Sequence, residues 1–260
     1  MSLDPSGALL VEGNLSSAPP CTAPTCLAPD AGTWVRGYPS VVYGLDQCHA
    51  RTSPPPAPAL RLPLRVSAIP SDLIGRTSYS LDRTTITFDI AYDMWLSPSP
   101  TRTPCQGDGT VEVMVWTDAD RRALLPADLK VSTLSMPYAV NGAVDAGTDA
   151  WSVYASDIGT GGWTAPWGGT VWLVLNPAVG IRRGDVAVDL STALSQVAAL
   201  LQDRYGWTRF RRSYWLDTVP FGLEYGPPSG TATDGGRSYF SFELSSYCLA
   251  AGTTLARTAC

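Results

Sequence analysis

The sequence predicts an all-β fold of the sandwich or barrel type. Several segments alternate apolar and polar residues with the period of two that a half-buried strand requires. The 24 glycines and 22 prolines are spread along all 260 residues and divide these segments into short strands. Hydrophobic residues make up 45% of the chain and charged residues only 16%, which is enough apolar material for a sizeable core.

The clearest strand covers residues 86 to 96. One of its faces is apolar throughout and consists of Ile86, Phe88, Ile90, Tyr92, Met94 and Leu96. The opposite face consists of Thr87, Asp89, Ala91, Asp93 and Trp95. Because successive side chains point to opposite faces, the first set predicts the core side and the second predicts a cleft. Either aspartate is then placed to hold or tune a neighbouring glutamate.

A second strand, residues 110 to 117, carries one carboxylate, Glu112. Glu112 shares its face with Met114 and Trp116, while three valines form the other face. A carboxylate between a thioether and an indole is poorly solvated, so its surroundings control its protonation. Glycosidase carboxylates are usually housed in this way. The alternative is an edge-strand Glu that faces water beside a core Trp.

Residues 171 to 175 predict a further strand, and the residues after Asp189 predict a helix. The first is an apolar run on both faces, which predicts a buried strand and places Trp172 in the core rather than on a sugar platform. The one convincing helix follows, with Asp189 as its expected N-cap and Arg204 with Gly206 at its end. Its apolar positions recur at helical spacing: Leu190, Leu194, Val197 and Leu201.

A third carboxylate-bearing strand covers residues 221 to 228. Glu224 has Gly222 and Gly226 as neighbours on its own face, and the missing side chains let a ligand or backbone approach closely. Two glutamates in separate strands form a candidate pair of acid and nucleophile.

Charge and histidine content argue against several kinds of partner and site. The formal net charge is −5 and there is no basic cluster, so we expect neither a nucleic-acid nor a membrane partner. We interpret the short basic run at residues 209 to 212 as a solvated turn. His49 is the single histidine, so a zinc site and a Ser-His-Asp hydrolase are both weak alternatives, and we expect no metal and no cofactor.

The cysteines predict an oxidising compartment. Their number is even, and no CxxC pair accompanies them: Cys21, Cys26, Cys48, Cys105, Cys248 and Cys260. Structural disulfides are the better interpretation of this pattern, although the sequence does not choose among the pairings.

Five motifs in order resemble those of family 12 glycoside hydrolases, which are secreted β-glucanases of the endoglucanase and xyloglucanase type. They are Tyr38–Gly44, Ala91–Leu96, Glu112–Trp116, Ala150–Tyr154, and Gly222–Glu224 followed by Gly226. The resemblance spans roughly residues 10 to 247, so we expect a single domain over residues 1–260 with the proline run at 54 to 58 as a surface loop.

The resemblance implies a fold and a mechanism. The fold is a β-jelly roll of two curved antiparallel sheets with one helix packed on the outer face. The reaction is retaining hydrolysis of β-1,4-glucosidic bonds. Carried over by position, Glu112 is the nucleophile, Glu224 is the general acid/base, and Asp93 hydrogen-bonds the nucleophile.

Substrate binding is expected to depend on aromatic platforms, because sugars stack on aromatic faces through their C–H surfaces. We predict contacts from Trp116, Met114, Trp95, Asn14, Trp34 and Trp151. The family often has Asn-Asn-x-Trp near the N-terminus, whereas this chain keeps Asn14 and has Ser16 in place of the Trp, with Trp34 as a possible substitute.

Alternatives remain open at this point. A non-catalytic carbohydrate-binding jelly roll needs the platforms but not the acids, and a β-1,4-xylanase uses the same architecture. The preferred glucan, whether cellulose, mixed-linkage glucan or xyloglucan, is not decided by the sequence. Met1–Asp4 lack the basic start and apolar core of a signal peptide, so we interpret the chain as the mature or recombinant form of a secreted, extracellular protein. We also expect it to be a monomer.

Overall fold

Two packed β-sheets form the protein, as the alternation predicts. The computed structural model describes residues 2–3, 9–14, 38–44, 60–83, 86–99, 110–120, 125, 127–145, 150–156, 169–175, 180–207, 210–226 and 239–257. Its strands are β1 (Ser2–Leu3), β2 (Leu9–Asn14), β3 (Ser40–Gly44), β4 (Leu64–Arg65), β5 (Ile74–Arg83), β6 (Thr87–Ser97), β7 (Val111–Ala119), β8 (Lys130–Ser135), β9 (Tyr138–Val140), β10 (Ala143–Asp145), β11 (Ala150–Ser156), β12 (Thr170–Val174), β13 (Arg183–Asp189), β14 (Trp215–Gly226) and β15 (Tyr239–Ala250). The helices are α1 (Leu190–Tyr205) and the four-residue α2 (Phe210–Ser213).

The two sheets have seven and eight strands. The seven-stranded sheet runs β1-β2-β15-β5-β13-β9-β10. The eight-stranded sheet runs β3-β14-β6-β7-β12-β11-β8, and β4 pairs with the end of β14. The described strands pair antiparallel except for β12 and β7, which run parallel. The predicted jelly-roll sandwich is therefore confirmed.

The main core lies between the sheets and contains the predicted apolar faces of β6 and β7. All six core residues predicted for residues 86 to 96, five of them in β6 and Ile86 just before it, are fully buried there, and so are the three valines of β7: Ile86, Phe88, Ile90, Tyr92, Met94, Leu96, Val111, Val113 and Val115. The face of the eight-stranded sheet away from this core therefore carries the acidic side chains of both strands.

Helix α1 begins and ends where the sequence predicts. The Asp189 carboxylate accepts a hydrogen bond from the Thr192 backbone N–H at 2.9 Å, and Gly206 takes the left-handed conformation with φ 73° after the last turn. The buried side of α1 joins the main core near Val153 and Leu173 of the eight-stranded sheet. The helix thus supports this sheet from the side opposite the acids.

None of the described helices is both long and apolar enough to cross a membrane.

The short basic run is more ordered than the predicted solvated turn. Residues 210–213 form the single turn α2, and Phe210 is buried in the main core against Tyr214, with ring centroids 4.7 Å apart. The aromatic side chain between the arginines was the signal that this segment packs on the core.

Candidate active site

Four carboxyl groups come together on the face of the eight-stranded sheet that points away from the main core. Strand β6 lies between β14 and β7 and carries two of them, Asp89 and Asp93. Glu224 on β14 is directly opposite Asp89, and Glu112 on β7 is opposite Trp95, which lies two residues beyond Asp93. The two predicted catalytic glutamates therefore flank the same strand on the same face.

Glu112 lies on an interior strand and is only 7% exposed, so the alternative of an edge-strand Glu facing water is wrong. Thr170 is its cross-strand partner in the parallel pair of β12 and β7. The Thr170 hydroxyl donates to Glu112 Oε2 at 2.8 Å. The backbone N–H of Glu112 donates to the carbonyl oxygen of Gly169 at 3.2 Å. Both contacts fix the position of the carboxylate.

Asp93 is the second partner of Glu112. The two carboxyl groups share a hydrogen bond, and the Trp95 indole Nε1–H donates to Asp93 Oδ2 at 2.9 Å. Burial and the charges of Glu112 and Glu224 raise the pKa of Asp93 well above its usual range. A hydrogen bond between two carboxyls requires a proton, and Asp93 is the group that carries it.

The pKa of Glu112 responds to opposing influences. Burial is the largest and raises the pKa, and the nearby Glu224 charge adds to it. The hydrogen bonds from Thr170 and Asp93 lower the pKa, because they stabilise the ionised form. Glu112 is thus a poorly solvated carboxylate whose charge is supported by two donors.

Glu224 forms a second carboxyl pair with Asp89. Burial raises the pKa of Glu224, and the hydrogen bond with Asp89 lowers it. Asp89 is completely buried, whereas Glu224 is partly exposed at the surface of the sheet. Sequence reasoning placed Asp89 on the correct face but did not assign it to Glu224.

The glycine before Glu224 is required by a backbone contact. A Cβ at Gly222 would lie 2.3 Å from the Pro39 carbonyl oxygen, and Leu223 N–H donates to the same oxygen at 3.2 Å. The predicted close approach at Gly222 is therefore made by the chain at Pro39 and Ser40. This contact brings the residues before β3 to the edge of the acid cluster.

Tyr38 is a site residue that the sequence analysis did not single out. Its hydroxyl is buried and has no hydrogen-bond partner among the described residues. Burial and the charges of Asp93, Glu224 and Asp89 raise the pKa of the Tyr38 phenol well above its usual range. A neutral phenol is therefore available as a donor beside three of the four acids. Its place in the first family motif, next to Pro39, was the only available signal.

The aromatic side chains on the acid-bearing face are mostly buried. Met114 and Trp116 are 3% and 2% exposed and pack with Ala91, Leu125 and Trp172 in a small second core. Trp172 is 4% exposed, which agrees with the prediction that it packs rather than stacks on sugar. A sugar contact by Met114 or Trp116 stays a prediction.

Trp95 and Trp151 differ in what they offer a ligand. Trp95 is partly exposed beside Glu112 and keeps its predicted position on the cleft side. Trp151 is fully buried in the main core, where its Nε1–H donates to the Met136 carbonyl oxygen at 3.0 Å and its ring packs edge-on against Tyr138. The prediction that Trp151 binds substrate is therefore wrong, because it points to the opposite face of the sheet.

Several predicted residues lie wholly or partly outside the described part of the chain. These are Trp34, His49, the proline run at 54 to 58, and Cys21, Cys26, Cys48, Cys105 and Cys260. Asn14 ends β2 opposite Tyr239, and its side chain is not described. Cys248 is disulfide-bonded, and the pairing of the six cysteines stays a prediction.

Comparison with a model of glycosyl hydrolase family 12 gives a match over residues 21–198. Asp93 and Glu112 lie inside this range and Glu224 lies beyond it. A comparison with curated protein sequences gives no match.

Two solved structures illustrate the structural likeness. The native family 12 xyloglucanase from Bacillus licheniformis has a TM-score of 0.56 and 19% identity, with 83% of this chain and 75% of that chain covered. A metagenome-derived family 12 endoglucanase has a TM-score of 0.52 and 25% identity, with coverage of 84% and 75%. Both support the two-sheet fold over most of the chain.

Proposed function

The chain belongs to glycosyl hydrolase family 12, and from this premise we propose that it is a retaining endo-β-1,4-glucanase. Its substrates are β-glucan chains of the cellulose, mixed-linkage or xyloglucan type. In this proposal Glu112 is the nucleophile, Glu224 is the general acid/base and Asp93 holds the nucleophile. The two structural neighbours named above are described as a xyloglucanase and an endoglucanase, which agrees with a glucan substrate.

The observation that carries the proposal is the position of two glutamates on either side of β6, Glu112 buried and Glu224 partly exposed. Each is hydrogen-bonded to its own aspartate on that strand. Placing four carboxyl groups together, three of them buried, is costly and has no structural benefit, so such a cluster is typical of a catalytic site. A pair of carboxylates that flank one bond is the arrangement that glycoside hydrolysis requires.

The proposed mechanism divides the work between the two glutamates. Ionised Glu112 attacks the anomeric carbon and forms a glycosyl-enzyme, while protonated Glu224 gives its proton to the leaving oxygen. Glu224 then takes a proton from water, whose oxygen attacks the same carbon and releases Glu112. Thr170 and Asp93 orient Glu112 for the attack, and the ring of Trp95 beside it can stack on the sugar.

We further propose that the protein is secreted. The disulfide at Cys248 supports this, because disulfides persist mainly in oxidising compartments.

Activity and stereochemistry test the proposal together. Initial rates on carboxymethyl cellulose, barley β-glucan, xyloglucan and xylan identify the substrate class, and proton NMR of the first product shows whether the β-anomer is retained. Glu112→Gln and Glu224→Gln should each lower hydrolysis by about a thousandfold or more, because an amide neither attacks nor donates a proton in this way. Glu243→Gln, on the other sheet, is the matched control and should keep full activity. A protein that binds glucan without hydrolysing it would be a binding module, and preference for xylan would make it a xylanase.

Azide separates the two roles. With an activated aryl cellobioside, Glu224→Ala should form the glycosyl-enzyme and then stall, and added azide should yield a β-glycosyl azide with retained configuration. Glu112→Ala should instead give an inverted α-glycosyl azide, since azide then occupies the space of the missing carboxylate. Exchange of the two products between the variants would reverse the assignment.

A further inference from the structure

Asp89 has a position that neither the family resemblance nor the proposed reaction explains. It is completely buried in the interior strand β6. Among the described residues, no backbone N–H, hydroxyl or other donor outside the carboxyl groups reaches either of its carboxyl oxygens. Its hydrogen-bond partner is the carboxyl group of Glu224, which lies directly opposite on β14. Such a bond forms only when one of the two carboxyls is protonated.

We propose that Asp89 is a positioning residue for Glu224: it stays protonated through the reaction and donates a hydrogen bond to the Glu224 carboxylate formed when the leaving oxygen takes the catalytic proton. The proposal rests on the function proposed above. Asp89 does not touch the substrate and supplies no proton to it. It keeps the Glu224 carboxylate in place between the first step and the second, in which the same carboxylate acts as base.

The surroundings of Asp89 favour the protonated form. The titratable groups that face the Asp89–Glu224 pair are Asp93 on the same strand, Glu112 on β7 and Tyr38 before β3. All of them are acids, and no cation among the described residues faces the pair. Burial first, and then the charge of Glu224, its hydrogen bond and the other acids, raise the pKa of Asp89 well above its usual range. The proton therefore resides on Asp89 when Glu224 is ionised.

The hydrogen bond from Asp89 lowers the pKa of the general acid, Glu224. Burial alone raises the pKa of Glu224 and makes it a poor proton donor, and the bond from Asp89 opposes this effect. A general acid is most effective when its pKa is near the working pH. Asp89 thus acts on Glu224 as Thr170 and Asp93 act on Glu112, with a single donor in place of two.

The test compares Asp89→Asn with Asp89→Leu. The amide of Asn donates a hydrogen bond without titrating, whereas Leu has the same number of side-chain heavy atoms, branched at the same carbon, and no donor. The dependence of kcat/KM on pH is measured with cellotetraose, whose leaving group needs protonation, and with 2,4-dinitrophenyl β-cellobioside, whose leaving group does not. Thr87→Val is the matched control, because Thr87 is buried on the same face two residues away and its hydroxyl has no partner among the described residues.

Loss of the donor should raise the pKa of Glu224, so the basic limb of the cellotetraose profile should move to higher pH in Asp89→Leu by about one unit. Cellotetraose hydrolysis at the wild-type optimum should fall about tenfold, and cleavage of the dinitrophenyl bond should change little. Asp89→Asn and Thr87→Val should keep the basic limb of the wild-type enzyme and more than about a third of its rate.

Three outcomes overturn the proposal. A basic limb that does not move in folded Asp89→Leu makes Asp89 a packing residue. Movement to lower pH means that Asp89 is ionised and raises the pKa of Glu224 by repulsion. Loss of cellotetraose hydrolysis in Asp89→Asn means that Asp89 must release its proton, and this variant decides the matter if Asp89→Leu does not fold. Each outcome is read against an active, retaining wild-type enzyme, so failure of this inference and failure of the proposed function are distinguishable.

Discussion

Thr170 offers a direct measure of how the protein supports its nucleophile. Its hydroxyl donates to Glu112 Oε2 at 2.8 Å, and Thr170 itself is 2% exposed, so water cannot easily replace the donor. Thr170→Val removes the hydroxyl and keeps the shape. A hydrogen bond to a charged group contributes about 1.5–3 kcal/mol, which corresponds to about one to two pH units in the pKa of Glu112.

The direction in which the pH profile of kcat/KM shifts follows from the role of Glu112. The nucleophile must be ionised, so a higher pKa of Glu112 moves the acidic limb of the kcat/KM profile to higher pH in Thr170→Val. The same free energy lowers kcat/KM about tenfold to a hundredfold at the wild-type optimum. Thr170→Ser restores the donor and should return both values close to those of the wild type.

The control is Thr117→Val, which removes a buried hydroxyl of β7 that donates to the Ile90 carbonyl oxygen at 3.1 Å on the core side of the sheet. This variant should lower the thermal midpoint and leave the acidic limb unchanged. If Thr170→Val also kept the wild-type acidic limb, Glu112 would not be the group that titrates there, and its assignment as nucleophile would fail.

Two further predictions concern stability. Asp189→Ala removes the N-cap of α1, whose carboxylate accepts hydrogen bonds from the Thr192 backbone N–H and from the Ser191 and Thr192 hydroxyls. The loss of roughly 1–2 kcal/mol in the free energy of unfolding should lower the thermal midpoint by about 2–8 °C, with little change in activity at 25 °C. A midpoint equal to that of the wild type would show that α1 is fixed by packing alone. The pKa values of Glu112 and Glu224 are raised in the folded protein, so the folded state loses stability as pH rises from the pKa values of the unfolded chain through those of the folded one. Glu112→Gln and Glu224→Gln should therefore have a higher thermal midpoint than the wild type at pH 8, and the difference should be smaller at pH 4.5. A difference in midpoint that calorimetry finds to be independent of pH would contradict the raised pKa values.

The sequence predicted the faces of individual strands better than the contacts between strands. The alternation in β6 and β7 placed Asp93 and Glu112 on the acid-bearing face because a period of two leaves no other choice once one face is apolar. The same reasoning could have found the position of Trp151, since Trp151 and Val153 share the apolar face of β11. The role predicted for Trp151 as a sugar platform is contradicted by the pattern of its own strand.

Contacts between distant strands needed the structure. Thr170 reaches Glu112 only because β12 runs parallel to β7, and the pairing of Asp89 with Glu224 depends on the register between β6 and β14. The alternation within a strand decides which face each side chain is on, but it does not identify the neighbouring strand or the residue that lies opposite. Tyr38 was beyond prediction for the same reason, since its contact with the acids depends on how residues 38 and 39 cross β14 at Gly222.

The number of donors at each glutamate supplies a physical basis for dividing their roles. Both lie in a site that disfavours charge, and burial is the largest influence on each. Glu112 receives two hydrogen bonds, from Thr170 and Asp93, whereas Glu224 receives one, from Asp89. When two acids repel each other, the first to ionise is the one whose carboxylate is better supported, and its charge then keeps the proton on the other. Two donors against one support Glu112 as the ionised nucleophile and Glu224 as the acid. The pKa values alone, raised to about 8 for Glu112 and to about 7 for Glu224, stand in the opposite order, so this division of roles rests on the hydrogen bonds and not on those values.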